Sequence, residues 1–109
     1  MSAVKEAGFL REAQWREKIF NGAWVSPLGG VNSVREPATN TPLTITGLAN
    51  AEDMAQACRA ASQAQPAWHA LGPRDKALIF RRAADQAEAH FAELALFVAR
   101  ETGGSVLKG

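Results

Sequence analysis

The chain has 109 residues, a formal net charge of +1 and an apolar fraction of 47%. Near-neutrality gives no long-range field for nucleic acid or an anionic membrane surface. Cys58 is the sole cysteine, which excludes an internal disulfide.

The length suits one small domain or a piece of a larger one. Alanine dominates the apolar residues, and an alanine buries little area, so the apolar fraction overstates the core. The large apolar side chains are too few to seal a domain of this size alone. The chain is therefore expected to pack against further protein. The first residues, MSAVKEAGFLREAQWREK, lack the apolar run of a signal peptide. No stretch reaches the length of a membrane span. A soluble, cytoplasmic, reducing location is the expectation.

Residues 1–17 are mixed and charged. They read as an arm or as a short helix over residues 5–17 with Phe9, Leu10 and Ala13 inward. Residues 18–25, KIFNGAWV, predict a hairpin with strands at 18–20 and 23–26, because Asn21-Gly22 suits a turn with positive φ at both positions. Residues 26–30, SPLGG, form a loop. Residues 31–36 alternate Val31, Ser33 and Arg35 against Asn32 and Val34, as a strand does. Residues 37–42, PATNTP, carry turn chemistry: Pro37 fixes φ and Asn40 tolerates the left-handed region. The β-branched run LTITG at 43–47 completes a second hairpin.

Asn50 is a good N-cap, and Glu52 and Asp53 follow in the first turn, where the helix dipole favours them. Met54, Ala57, Cys58, Ala61, Ala64 and Trp68 mark the apolar face of that helix. Pro66 predicts a stop near Gln65 or a kink. Pro73 opens the next helix. Ala77, Phe80, Ala84, Ala87, Phe91, Leu94 and Val98 then recur at alternating spacings of three and four, which places them on one helix face. Arg81, Arg82, Asp85, Glu88, Glu93 and Arg100 fall largely off it. The spacing keeps its phase through Ala89 and His90, so one helix about 40 Å long is expected, with Gly103-Gly104 as its stop. A break near 89–91 is the competing reading. The stripe requires a cover.

No catalytic, cofactor-binding or metal-ligating residue stands out. Gly29-Gly30 and Gly103-Gly104 fit neither a GxGxxG nor a GxxxxGK[ST] loop. Cys58 lies on the small-residue helix face with no histidine near it in sequence and reads as a small buried hydrophobe rather than a nucleophile. His69 and His90 lack metal spacing with any cysteine or carboxylate run and read as structural or solvated. Glu52 and Asp53 are helix neighbours, which do not face each other, so capping explains them better than acid–base chemistry. Trp15, Trp24 and Trp68 are interleaved with too little positive charge for a nucleic-acid surface.

The order of several short motifs resembles the N-terminal region of the aldehyde dehydrogenase superfamily over residues 18–109. The carrying pieces are Ile19-Phe20-Asn21-Gly22-Ala23-Trp24-Val25, Glu36-Pro37-Ala38-Thr39, and Ala51-Glu52-Asp53 opening a helix that reaches Pro66-Ala67-Trp68. Pro73-Arg74-Asp75-Lys76-Ala77, Arg82-Ala83-Ala84-Asp85 and Glu101-Thr102-Gly103 complete the series. Glu36-Pro37-Ala38-Thr39, Ala49-Asn50-Ala51 and the run from Ala99 to Gly104 look most like bacterial benzaldehyde dehydrogenases. Asn40 stands where the family usually has Gly, and Gly104 where Lys is frequent. The resemblance implies an α/β parent fold, of which this segment is a short β-meander (18–47) followed by two or three α-helices (51–102). It implies NAD(P)-dependent oxidation of an aldehyde, benzaldehyde-like and aromatic, to the carboxylic acid. In the family a cysteine thiolate attacks the carbonyl, hydride leaves for the nicotinamide, and a glutamate-activated water hydrolyses the thioester. Those groups lie downstream of this region, and Cys58 does not match the family's nucleophile motif. The resemblance thus implies a chain that alone binds no NAD or NADP and turns nothing over, within a full-length homo-oligomer. The reading from another class is a free-standing helical interaction module docking through the Ala77 to Val98 stripe.

Overall fold

The computed structural model describes residues 8–105. In chain order the elements are α1 (Glu12–Trp15), β1 (Ile19–Phe20), β2 (Trp24–Val25), β3 (Val31–Arg35), β4 (Pro42–Gly47), α2 (Ala51–Ala70), α3 (Pro73–Ala89) and α4 (Phe91–Thr102). After the single turn of α1, short antiparallel strands therefore precede the three longer helices.

The helix expected over 5–17 contracts to one turn, and residues 5–7 lie outside the described residues. Of the three residues expected inward only Leu10 is half-buried, and the buried side chain of the turn is the polar Glu12. Glu12 is 2% exposed, whereas Phe9 is 41% exposed and Ala13 is exposed. The reason is a hydrogen-bonded carboxylate: Glu12 Oε1 accepts from Thr44 Oγ1 at 2.7 Å and from Arg16 Nη1 at 3.0 Å. Burying that group is tolerable because it is bonded. The chain then turns through Glu17, with φ +60°, whose N–H donates to the Ile45 carbonyl at 3.0 Å.

β1 and β2 pair antiparallel, Ile19 with Val25 and Phe20 with Trp24, around a three-residue loop. Only Gly22 has positive φ there (+108°), so the two-residue turn expected at Asn21-Gly22 does not form. Asn21 instead donates its N–H to the Ala23 carbonyl at 3.1 Å. Phe20 and Trp24 meet edge-on at 5.2 Å as a cross-strand pair. β3 and β4 form the second hairpin, Val31 opposite Gly47 and Val34 opposite Thr44, with an irregularity at Val34/Arg35. Asn40 takes the left-handed conformation at φ +56°, as its turn chemistry predicts.

The expected meander is two separate two-stranded sheets. The loop between β2 and β3 explains the separation. Gly29 N–H donates to the Leu48 carbonyl at 3.0 Å, and Leu48 N–H returns to the Gly30 carbonyl at 2.9 Å. The loop's backbone groups thus bond the segment leaving β4, and the chain turns away before β2 could meet β3. A Cβ at Gly29 would sit 2.4 Å from that Leu48 oxygen, so the approach requires glycine.

α2 runs through Pro66 to Ala70, so of the two readings at Pro66, a stop near Gln65 or a kink, the stop does not occur. Proline removes one amide, the partner of the Ser62 carbonyl. Residues 61–70 are all exposed, so water can reach that carbonyl. α3 begins with Pro73 as expected, and of the two readings of the long stripe the break near 89–91 is the one that forms: His90 leaves the helical region at φ −114°, ψ 23°, and α4 starts afresh. Gly103 then ends α4 in the left-handed conformation, its N–H on the Ala99 carbonyl at 2.9 Å.

Among the described residues the fully buried apolar side chains are Leu43 and Ala95. They mark a small core between the second hairpin and α4, extended by Trp15 edge-on to Phe97 at 6.2 Å. Among the described residues the predicted stripe is covered only in part: Ala77 and Leu94 are half-buried, while Phe80 is 65% and Phe91 61% exposed.

Candidate functional site

Three carboxylates fix the corners of the fold. Asp53 stands three residues after Asn50, so its backbone N–H reaches Asn50 Oδ1 at 2.9 Å while its own Oδ2 accepts from Asn50 N–H at 3.0 Å. The same Oδ2 takes the Leu28 N–H at 2.8 Å, tying the loop after β2 to the start of α2. Glu93, in the first turn of α4, accepts from the Phe9 and Leu10 amides at 2.9 and 3.2 Å. Glu36 leaves β3 and pairs with Arg100 in the last turn of α4. Thr39 and Thr41 hydroxyls also donate to Glu36, at 3.0 and 3.1 Å. The Arg100 guanidinium, helped by Thr39, holds the Glu36 carboxyl below its ordinary range. Two pieces of the family-like pattern, Glu36-Pro37 and Arg100 to Gly103, thus meet in space. A Cβ on Gly103 would lie 3.2 Å from that of Pro37.

Cys58 is exposed, which corrects its reading as a buried hydrophobe. Its helix face is largely uncovered among the described residues: Met54 is exposed, and so are Ala61 and Ala64. His69 is exposed in the last turn of α2. His90 is half-buried and stacks on Phe9, ring centroids 4.4 Å apart and planes 10° from parallel. Glu52 points away from Asp53 and bonds Arg59 Nη2 at 3.1 Å and Gln56 Nε2 at 3.3 Å. Among the described residues no three His, Cys, Asp or Glu side chains cluster as metal ligands would, and no helix is long and apolar enough to cross a membrane.

Dinucleotide phosphates bind where helix N-termini present free amides and no competing negative charge. Here α2 begins with Glu52 and Asp53, α3 with Asp75 and α4 with Glu93. Each N-terminal turn carries a carboxylate of the chain, so these residues do not fit a pyrophosphate. What the chain does present is apolar surface. Trp68 meets Phe80 edge-on at 6.3 Å, with Lys76 Nζ 5.4 Å from the indole centroid, and Leu78, Ile79, Phe80 and Phe91 are exposed. A second apolar feature is an open cleft of about 330 Å³ between Trp15, Trp24, Val34 and Phe97. Sequence reasoning missed the roles of Glu12 and Glu93. Their partners are 32 and 84 residues away, and no local spacing announces them.

Comparison with known proteins defines the class. Residues 24–109 match the aldehyde dehydrogenase family, and the chain belongs to it. Among curated relatives, it is 38% identical over 95 residues to vanillin dehydrogenase of an Amycolatopsis species, covering 87% of this chain and 20% of that protein. It is 39% identical over 95 residues to benzaldehyde dehydrogenase [NAD(+)] of Pseudomonas putida, with the same coverage of 87% and 20%. N-succinylglutamate 5-semialdehyde dehydrogenase of Shigella dysenteriae is 39% identical over 83 residues, 76% of this chain and 17% of that protein. The chain thus spans about a fifth of the length of the first two relatives. No solved structure matches.

Proposed function

We propose that this chain is the N-terminal segment of an NAD(P)-dependent aldehyde dehydrogenase of α/β fold that oxidises an aromatic aldehyde to its carboxylic acid. The observation that carries the aromatic reading is the similarity, over the same 95 residues, to a vanillin and a benzaldehyde dehydrogenase. The segment contributes architecture. Asp53, Glu36 and Glu93 hold its corners, and the apolar faces of α2 and α3 are presented outward for the rest of the enzyme to cover. Nucleophile, general base and dinucleotide site lie elsewhere in the enzyme, which works in the cytoplasm as a homo-oligomer. The family match takes in strands and helices alike, which favours this reading over a free-standing helical interaction module.

The test compares the purified 109-residue polypeptide with the product of the complete reading frame that encodes it. Each is given NAD⁺ or NADP⁺ with benzaldehyde, vanillin or an aliphatic semialdehyde, and reduced cofactor is followed by absorbance. The complete product is expected to turn over, with kcat/KM for the aromatic substrates at least about tenfold higher. The polypeptide alone is expected to show none. Turnover by the polypeptide would refute the division of labour, and an aliphatic preference would refute the aromatic assignment.

A further inference from the structure

The break between α3 and α4 has no local cause. Sharp helix breaks arise at proline, at glycine or serine pairs, at π-bulges, or where another group intrudes. Residues 86–94, QAEAHFAEL, contain no proline, glycine or serine, and the apolar spacing keeps its phase across them. α4 also starts without the side-chain cap that α2 has: His90 makes no capping hydrogen bond. Glu93 sits three residues after His90, where a glutamate commonly reaches back to the N-cap amide. Its carboxylate is instead turned onto the Phe9 and Leu10 amides, while the Phe9 ring lies flat on the His90 imidazole. Gly8 makes room for this arrangement, since a Cβ there would stand 2.4 Å from Glu93 Oε1.

We infer that residues 8–10 are a strap that holds the helix open at His90, and that without the strap α3 and α4 join into one straight helix. Released, His90 adopts helical dihedrals, and the amides of Phe91, Ala92 and Glu93 gain the carbonyls of residues 87–89 as partners. Ala77, Phe80, Ala84, Ala87, Phe91, Leu94 and Val98 then line up along one face. With the strap closed, that face is interrupted at His90, between its α3 part and its α4 part. The strap therefore sets the direction in which the apolar surface of α3 is offered. This inference is independent of the proposed activity.

The test is a double electron–electron resonance measurement on the product of the complete reading frame, with spin labels at Arg74→Cys and Glu101→Cys and every other cysteine, Cys58 included, replaced by serine. A continuous helix between those positions spans about 40 Å. The parent chain is expected to give a distance clearly shorter than this. Phe9→Ala with Glu93→Ala is expected to move the main population to about 40 Å. Gly8→Ala, which disturbs the strap by a single methyl group, is expected to raise the long-distance population at least severalfold. Circular dichroism on the same samples separates straightening from unfolding, because straightening adds helix. An unchanged distance in both variants overturns the inference, as does a loss of helix without a long-distance population.

Discussion

Heating the isolated polypeptide tests whether its apolar faces lack their natural cover. A folded monomer of this mass exposes about 5,800 Å². This chain exposes 7997 Å² and has a radius of gyration of 16.5 Å, where a compact domain of equal length has about 13 Å. The exposed side chains include Phe80, Phe91, Met54, Ile79 and Trp68. A surplus of about 2,000 Å² is comparable to a large protein–protein interface. If about half of it is apolar, about 25 kcal/mol of potential burial is left unrealised at 25 cal/mol per Å². A well-packed domain of this length melts with an enthalpy of about 75 kcal/mol. Differential scanning calorimetry of the polypeptide should give a broad transition carrying less than half of that, with strong binding of an apolar-surface dye at 25 °C. Small-angle scattering should return a radius near the structural value. A sharp transition of full enthalpy from a monomer with a radius of about 13 Å would refute the reasoning.

Phe80→Ser separates the segment from the whole enzyme. In the isolated polypeptide it should leave helix content almost unchanged, as exposed substitutions do, and lower dye binding. In the complete enzyme, where that ring is proposed to be covered, denaturant titration should show a loss of about 3 kcal/mol or more. Asp53→Ala removes the acceptor of the Leu28 and Asn50 amides. Hydrogen bonds to a charged group contribute about 1.5–3 kcal/mol, so exchange of the Leu28 amide should accelerate by about 10- to 100-fold, while Asp53→Asn gives a smaller change. The Glu36–Arg100 tie should respond to acid. The folded carboxyl titrates below its unfolded value, chiefly because of Arg100. Its stabilising effect is therefore fully present above the unfolded pKa and is lost as pH falls through the lowered folded pKa. NMR signals of Thr39, Thr41 and Arg100 should report that release at acid pH, and Glu36→Gln should abolish the titration.

What could be read from the residues was what is encoded locally. Asn50 reads as an N-cap with Asp53 in the first turn, and the structure adds the reciprocal bond of a capping box. Asn40 in its turn and Gly103 after the last apolar residue announced their left-handed conformations. The ties across the fold had no such signature. Glu36 and Arg100 are 64 residues apart, and Glu93 and Phe9 are 84 apart. Each looks like an ordinary surface residue until the chain brings its partner. The strap also explains why the break near 89–91 forms instead of one long helix: periodicity reports local preference, and a contact from the other end of the chain overrode it. Cys58 failed for a further reason. An apolar helix face predicts burial only where something covers it, and among the described residues nothing covers Cys58. The family was legible because the order of short motifs survives in a segment. The chemistry was not, because no motif in the sequence carries it, and among the described residues no three His, Cys, Asp or Glu side chains cluster.

The distribution of interactions supports one physical reading of the segment. Directional contacts lie at its corners: a charge-bearing oxygen on two amides at Asp53, two amides on Glu93, and a guanidinium on Glu36. Non-directional apolar surface lies on the outside of α2 and α3. A segment stabilised mainly by its own core would show the reverse, because a domain gains most of its stability from buried apolar area. Hydrogen bonds and ion pairs specify angles and registers without requiring a large core. They can set the relative placement of hairpins and helices before the apolar faces are covered. Association then loses less conformational entropy, since loops and helix ends are already ordered. On this reading, cutting a corner tie should weaken assembly of the complete enzyme even though the tie touches no partner surface. Asp53→Ala should therefore slow recovery of activity on refolding more than it lowers the activity of enzyme already assembled.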